Sequence, residues 1–176
     1  MPVMNNIIRI KVHRLCLIIL SLLSIVGCDQ ATKTVAKDTL SHAGPLSYLG
    51  DTVRLQYMEN PGAFLSLGAT LPLEYRFWIF SVAVSICLLA AAFFLLFKRT
   101  NVLLTLGLAL TVGGGIGNLI DRLTSGRVVD FINVGIGSFR TGIFNIADVA
   151  IMVGIGLMVI DARTCRTVLS VDGSSK

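Results

Sequence analysis

Three stretches of this 176-residue chain are too long and too apolar to belong to a small water-soluble core. Crossing a hydrocarbon layer of roughly 30 Å takes about 20 helical residues, and Tyr75 to Phe97, Val102 to Ile120 and Ile143 to Ile160 all come near that length. A fourth run, Leu15 to Cys28, is uncharged for only 14 residues and crosses only if its helix continues through Asp29, Gln30, Ala31 and Thr32 to Lys33. Composition agrees, with 54% of residues hydrophobic and 14% charged, against about a quarter charged in soluble domains. A soluble globule, a disordered chain and a collagen-like repeat are all excluded. The length leaves room for a few spans and one modest element outside the membrane.

The net charge of +5 would suit a nucleic-acid binder only if the basic residues clustered on one face. They stand instead singly or in short groups at the ends of apolar runs, which is how membrane orientation is written. With the N-terminus cytoplasmic, the inner segments carry Arg9, Lys11, Arg14, Lys98, Arg99, Arg163, Arg166 and Lys176 against Asp161 and Asp172. The other seven basic and eight acidic residues fall in the outer segments, Lys33 to Glu74 and Asp121 to Gly142, or, for Asp29, Arg76 and Asp148, near the outer span ends. The expected fold is an all-α integral membrane protein of four transmembrane helices, near residues 15–33, 75–97, 102–120 and 143–160. One domain covers 1–165, and 166–176 form a polar cytoplasmic tail. In the first outer segment, Val53 to Met58 alternates apolar and polar residues as a half-buried strand does, and Asn60-Pro61-Gly62 closes it with a turn. A small extracytoplasmic β-sheet is expected there.

Arg9, Lys11 and Arg14 ahead of a short apolar stretch also have the shape of a secretory signal peptide, and Ile25-Val26-Gly27-Cys28 resembles the lipobox of a lipoprotein precursor. Three further spans argue against that alternative. The four cysteines, Cys16, Cys28, Cys87 and Cys165, read as small apolar side chains, since no two share an outer loop. His13 and His42 fall on opposite sides of the membrane and no metal-ligand spacing occurs, so no metal is expected.

An ionisable group inside a span needs a partner or a role. Asp148 is placed about five residues into the last span, with Asn145 on the same helical face. Asn118 and Arg122 are four apart near the outer end of the third span, with Asp121 between them. Asp130 follows in Val128-Val129-Asp130-Phe131, and Asp29 and Asn60 fall on the same side. Asp121 and Arg122 could be an ordinary interfacial ion pair. Asp130 and Asp148, without committed cations, suit a different use: two close carboxyls share one proton, one activating water while the other donates to a scissile carbonyl. That is aspartic-protease chemistry. A nucleophilic mechanism finds less support, because Ser66, Ser81, Ser85 and Ser125 have only His42 nearby and no Gly-x-Ser-x-Gly elbow exists. Gly113-Gly114-Gly115-x-Gly117 lies mid-span and reads as close helix packing. A transporter using Asp148 and Asp121 as ion sites ranks behind, since the polar groups stop at the outer boundary.

Taken in order, five blocks resemble the bacterial lipoprotein signal peptidases (signal peptidase II): Asp29-Gln30-x-Thr32-Lys33, Asn60-x-Gly62-Ala63, Gly113-Gly114-x-x-Gly117-Asn118-x-x-Asp121-Arg122, Val128-Val129-Asp130-Phe131 and Phe144-Asn145-x-Ala147-Asp148. The resemblance implies a four-helix aspartic endopeptidase of the bacterial inner membrane, both termini cytoplasmic and the active site at the outer face. It would cleave diacylglyceryl-modified prolipoproteins before the lipidated Cys. It implies Asp130 and Asp148 as the catalytic pair, and Asp29, Asn60, Gly62, Asn118, Asp121, Arg122 and Asn145 as supporting or substrate-binding residues. No cofactor or nucleic acid is implied; the partners are lipid-modified substrates and membrane lipids, and a monomer is expected. The chain departs from the family pattern after Gly62, where Ala63 leads directly to Phe64-Leu65-Ser66. The resemblance also makes the segment around Cys28 a retained, uncleaved helix.

Overall fold

The computed structural model describes residues 2–63 and 67–173, with side chains described from residue 12 to residue 164. Phe64-Leu65-Ser66 and Lys176 lie outside the described residues, as do the side chains of Arg9, Lys11, Cys165 and Arg166. The order is α1 (Pro2–Leu40), β1 (Leu46–Tyr48), β2 (Val53–Asn60), α2 (Leu73–Phe77), a π-helical segment (Trp78–Ala83), α3 (Val84–Phe97), α4 (Val102–Ser125), β3 (Val128–Ile136), β4 (Phe139–Arg140) and α5 (Ile146–Gly173).

Among the described residues, three helical stretches are long and apolar enough to cross a membrane: Val12–Leu40, Leu73–Phe97 and Val102–Ser125. The second leaves Trp78, Leu89, Phe93 and Phe97 at least half exposed, a distribution that suits lipid rather than water. The first helix is longer than expected and runs unbroken past Lys33 to Leu40, so the lipobox-like string is continuous helix. α5 starts at Ile146, three residues later than the run beginning at Ile143, because Phe144 bridges Ile132 of β3 and Asn145 serves as its cap. Asp148 is therefore in the first turn of the helix rather than five residues inside it. At the other end, α5 continues through 166–173.

α4 is the central helix, and its small residues are the reason. A Cβ on Gly107 would come within 2.8 Å of the Gly154 carbonyl oxygen, and one on Gly114 would collide with the carbonyl oxygen of Ala147. Two approaches seven residues apart let α4 and α5 touch backbone to backbone. Gly113 meets Ile25 of α1 and Gly115 meets Leu88 of α3, so one glycine run serves three neighbours. Gly126, at φ 74°, then ends the helix with its N–H bonded to the Arg122 carbonyl. Away from the sheet, Arg14 donates to the carbonyl oxygen of Leu95 and to Thr100, and Asn101 donates to Asp161, tying α1 and α5 to the α3–α4 turn.

The four strands form one antiparallel sheet in the order β1-β2-β3-β4. β2 runs two residues beyond the expected strand, and a register shift between Leu55 and Met58 inserts one extra residue. Beyond it, Asn60 lies opposite Val128, two residues along β3 from Asp130. Phe131 points to a core formed with Ala36 and Leu40 of α1. Its neighbour Asp130, 2% exposed, turns to the opposite face of the strand.

Gly114→Val is expected to lower stability by about 1–3 kcal/mol through overpacking, read as a lower unfolding midpoint in detergent. Gly27→Ala, where a Cβ meets nothing within 4 Å, is the comparison. Equal midpoints for both variants would contradict the close α4–α5 approach.

Candidate functional site

A buried charge cluster lies where α1, α4 and α5 meet. Lys33, 4% exposed, places Nζ 2.7 Å from Asp29 and 2.9 Å from Asp121, and donates to Oδ1 of Asn118 at 2.9 Å. Asp29 is fully buried and accepts the backbone N–H of Ala147 at 2.9 Å, so a residue of α1 caps the start of α5. Asp121 also accepts from Gln30 Nε2 at 3.0 Å and from the N–H of Val129, which fastens the beginning of β3. Asp121 and Arg122 do not pair. Adjacent residues on a helix point roughly 100° apart, so Asp121 faces α1 while Arg122 turns away and donates to the carbonyl oxygens of Gly62 and Asn118.

Next to this cluster, three asparagines hold two carboxylates. Lys33 can only donate, so Asn118 must turn its oxygen towards it and its amide N–H towards Asp148, at 2.8 Å. The Asn60 oxygen accepts the Gly62 N–H, leaving its Nδ2 to donate to Asp130 at 2.9 Å. The Asn145 oxygen accepts the Asp148 N–H, and its Nδ2 donates to Asp130 at 2.7 Å. Asp148 in turn accepts the backbone N–H of Asn145 at 3.3 Å, a reciprocal cap at the first turn of α5. Neither Asp130 nor Asp148 has a cation at ion-pair distance among the described residues.

Both carboxylates line a cavity of about 440 Å³ with Asn60, Asn118 and Arg122. The rest of its wall is apolar: Val84 of α3 and Ile151, Met152 and Ile155 of α5. Ile155 lies seven residues from Asp148, about 10 Å along the helix, and Met152 and Ile155 are 62% and 47% exposed, so the cavity opens along the side of the helices. Burial pushes the Asp130 carboxyl up to about 6; the amides of Asn60 and Asn145 oppose the rise, and the charge of Asp148 adds to it. Such a pair retains one proton between its members more readily than two isolated carboxyls would.

All nine residues singled out from the sequence, Asp29, Asn60, Gly62, Asn118, Asp121, Arg122, Asp130, Asn145 and Asp148, fall in one connected hydrogen-bond network. Lys33 and Gln30 had drawn no role, although they stand in the first sequence block. The spacing of Lys33, four residues after Asp29, is the sign that one helical face carries both.

Residues 21–164 match the family model described as signal peptidase (SPase) II. The chain belongs to the signal peptidase II family. It is thus a peptidase and a multi-pass membrane protein, and its whole polar network falls inside the matched segment. Similar proteins include a lipoprotein signal peptidase of Syntrophus aciditrophicus, 35% identical over 76% of this chain and 83% of the relative. Another, from Acinetobacter baumannii, is 38% identical over 85% of this chain and 84% of the relative. A solved bacterial membrane enzyme superposes with a TM-score of 0.73 at 28% identity, covering 84% of this signal peptidase II chain and 87% of its own.

Replacing Lys33 with Met leaves Asp29 and Asp121 buried without their cation, and is expected to cost about 3–5 kcal/mol of stability. Thermal unfolding in detergent measures it. An unchanged midpoint would rule out the cluster as a structural tie.

Proposed function

We propose that this membrane peptidase is an aspartic endopeptidase that removes signal peptides from diacylglyceryl-modified prolipoproteins, cutting before the lipidated Cys. The observation that carries the reading is the pair Asp130 and Asp148 on the wall of one cavity, each held by amide donors and neither in an ion pair among the described residues. The names of the relatives, lipoprotein signal peptidases, support the substrate class. The apolar wall of Val84, Ile151, Met152 and Ile155 suits a hydrophobic signal segment arriving from the bilayer.

In this reading the pair holds one proton. The ionised carboxylate takes a proton from water, whose oxygen bonds to the scissile carbonyl carbon. The protonated partner gives its proton to the carbonyl oxygen, forming a tetrahedral diol. Collapse breaks the C–N bond as one diol hydroxyl returns its proton to the partner carboxylate and the leaving nitrogen receives the proton that water gave up, so the pair again holds one proton. Asn60, Asn118 and Asn145 orient the acids, Asp29 and Asp121 hold the helices that carry them, and Arg122 with Gly62 shapes the substrate side of the cavity. No cofactor is assigned a step.

The same reading has α5 cross the bilayer as a fourth helix, in one membrane-embedded domain that acts as a monomer in the bacterial inner membrane. Both termini are cytoplasmic, consistent with the Lys and Arg excess there, and the sheet and cavity face outward.

Asp130→Asn and Asp148→Asn are each expected to abolish cleavage of a lipidated prolipoprotein in detergent while expression and membrane insertion stay near normal. Near-normal turnover in either variant would sink the dyad.

The pH dependence has a definite sign. With Asp130 raised to about 6, the pair keeps its shared proton at lower pH and loses it as pH rises through that value, so turnover declines on the alkaline side. Stability follows the same sign: because the folded value lies above the ordinary one, the contribution of Asp130 is complete below about pH 4 and fades as pH rises towards 6. Asn60→Leu removes a donor that favours the ionised form, and is expected to move the alkaline decline to higher pH. A pH–rate profile checks this, and a shift to lower pH would refute the role given to Asn60.

A further inference from the structure

The helical stretch Leu73–Phe97 is not regular. Between α2 and α3 it widens into the π segment Trp78–Ala83. A π turn takes one residue more than an α turn, which rotates the succeeding residues by roughly 100° about the axis and frequently marks a functional position. Phe77, Trp78 and Ile79 face outward at 50%, 57% and 45% exposure, but Phe80 is partly buried.

The Phe80 ring has two neighbours from the polar side of the molecule. Its centroid is 5.9 Å from the guanidinium carbon of Arg122, within cation–π range. A Cβ placed on Gly68 would come within 2.8 Å of the ring's Cζ, and Gly68 has φ 74°, so the chain there passes the ring as only glycine does comfortably. Arg122 makes no ion pair among the described residues; its Nη atoms donate to backbone carbonyls and its Nε is buried without a hydrogen-bond partner. The ring face adds to the electrostatic support that the charges of Asp148, Asp130 and Asp121 give this guanidinium without pairing with it.

From Arg122 a short series of contacts reaches the acids. Its Nη2 donates to the Gly62 carbonyl at 2.8 Å, the Gly62 N–H donates to Asn60 Oδ1 at 2.9 Å, and Asn60 Nδ2 donates to Asp130 at 2.9 Å. We infer that Phe80 is a positioning residue for the peptidase reaction: the π segment sets its ring against Arg122 and Gly68, and through Arg122 and Gly62 it fixes the Asn60 amide that orients Asp130. This deepens the proposed aspartic mechanism and rests on it.

Three forms of position 80 test the inference in the lipidated-prolipoprotein assay. Phe80→Leu keeps apolar bulk and removes the ring face, and is expected to lower kcat/KM about tenfold, with the loss mainly in kcat. Its alkaline decline moves to higher pH, as for loss of the Asn60 donor. Phe80→Tyr keeps the ring and retains most of the activity and the wild-type pH profile. Pentafluorophenylalanine at position 80 keeps the shape but reverses the ring quadrupole, so it behaves as Phe80→Leu does even where the leucine variant folds poorly. Wild-type kcat and pH profile in both the leucine and the fluorinated forms, or equal losses in leucine and tyrosine variants, would overturn the inference. Asp130→Asn run alongside separates the two levels. If it cleaves, the dyad reading itself fails; if it is inactive while the Phe80 variants behave as wild type, only the role of Phe80 is lost.

Discussion

The contact on which most else depends is the Lys33 ammonium held between Asp29 and Asp121, all three nearly or fully buried. A lone charge in this position would be severely destabilising, and two carboxylates without a cation would be worse. Because each member needs the others, the cluster locks α1 to α4. Its remaining lone pairs then recruit the N–H groups of Ala147 and Val129, which start α5 and β3. Four elements distant in sequence are registered against one another by hydrogen bonds that have no substitute inside a lipid-facing bundle.

That registration is passed to the carboxyl pair by orientation rather than by charge. Asn118 reports the position of Lys33, because an ammonium dictates which end of the amide faces it, and the opposite end then points to Asp148. Asn60 and Asn145 are fixed in the same manner by backbone N–H groups. Asp130 and Asp148 are therefore held by amides while remaining without ion-pair partners among the described residues. The glycines of α4 are the steric condition, since a side chain at Gly117 would strike the Asp29 carboxylate and one at Gly114 would push α5 away.

Much of this was legible in residue order. Runs of apolar residues revealed the helices, and Asp or Asn residues at helical spacings marked the polar layer. The errors have physical causes. The ion pair weighed for Asp121 and Arg122, neighbours in the chain, does not form, because helical geometry sends neighbours to different faces. The start of α5 looked three residues earlier because Ile143, Phe144 and Asn145 continue an apolar run, whereas Phe144 spends its backbone groups on β3. Lys33 read as the end of a span, since nothing in a linear string says that Asp121, far along the chain, returns to meet it.

By itself, then, the sequence determined the class of molecule and the inventory of polar groups: a membrane chain with too few charges to waste, with Asp29, Asp121, Asp130 and Asp148 read as one polar layer. Those conclusions follow from solvation, which acts on each segment independently of its neighbours. Which acids are neutralised and which are left free was decided only by tertiary structure. Asp29 and Asp121 share a lysine, Asp130 and Asp148 receive only amides among the described residues, and that division depends on distances between helices and strands brought together from opposite ends of the chain.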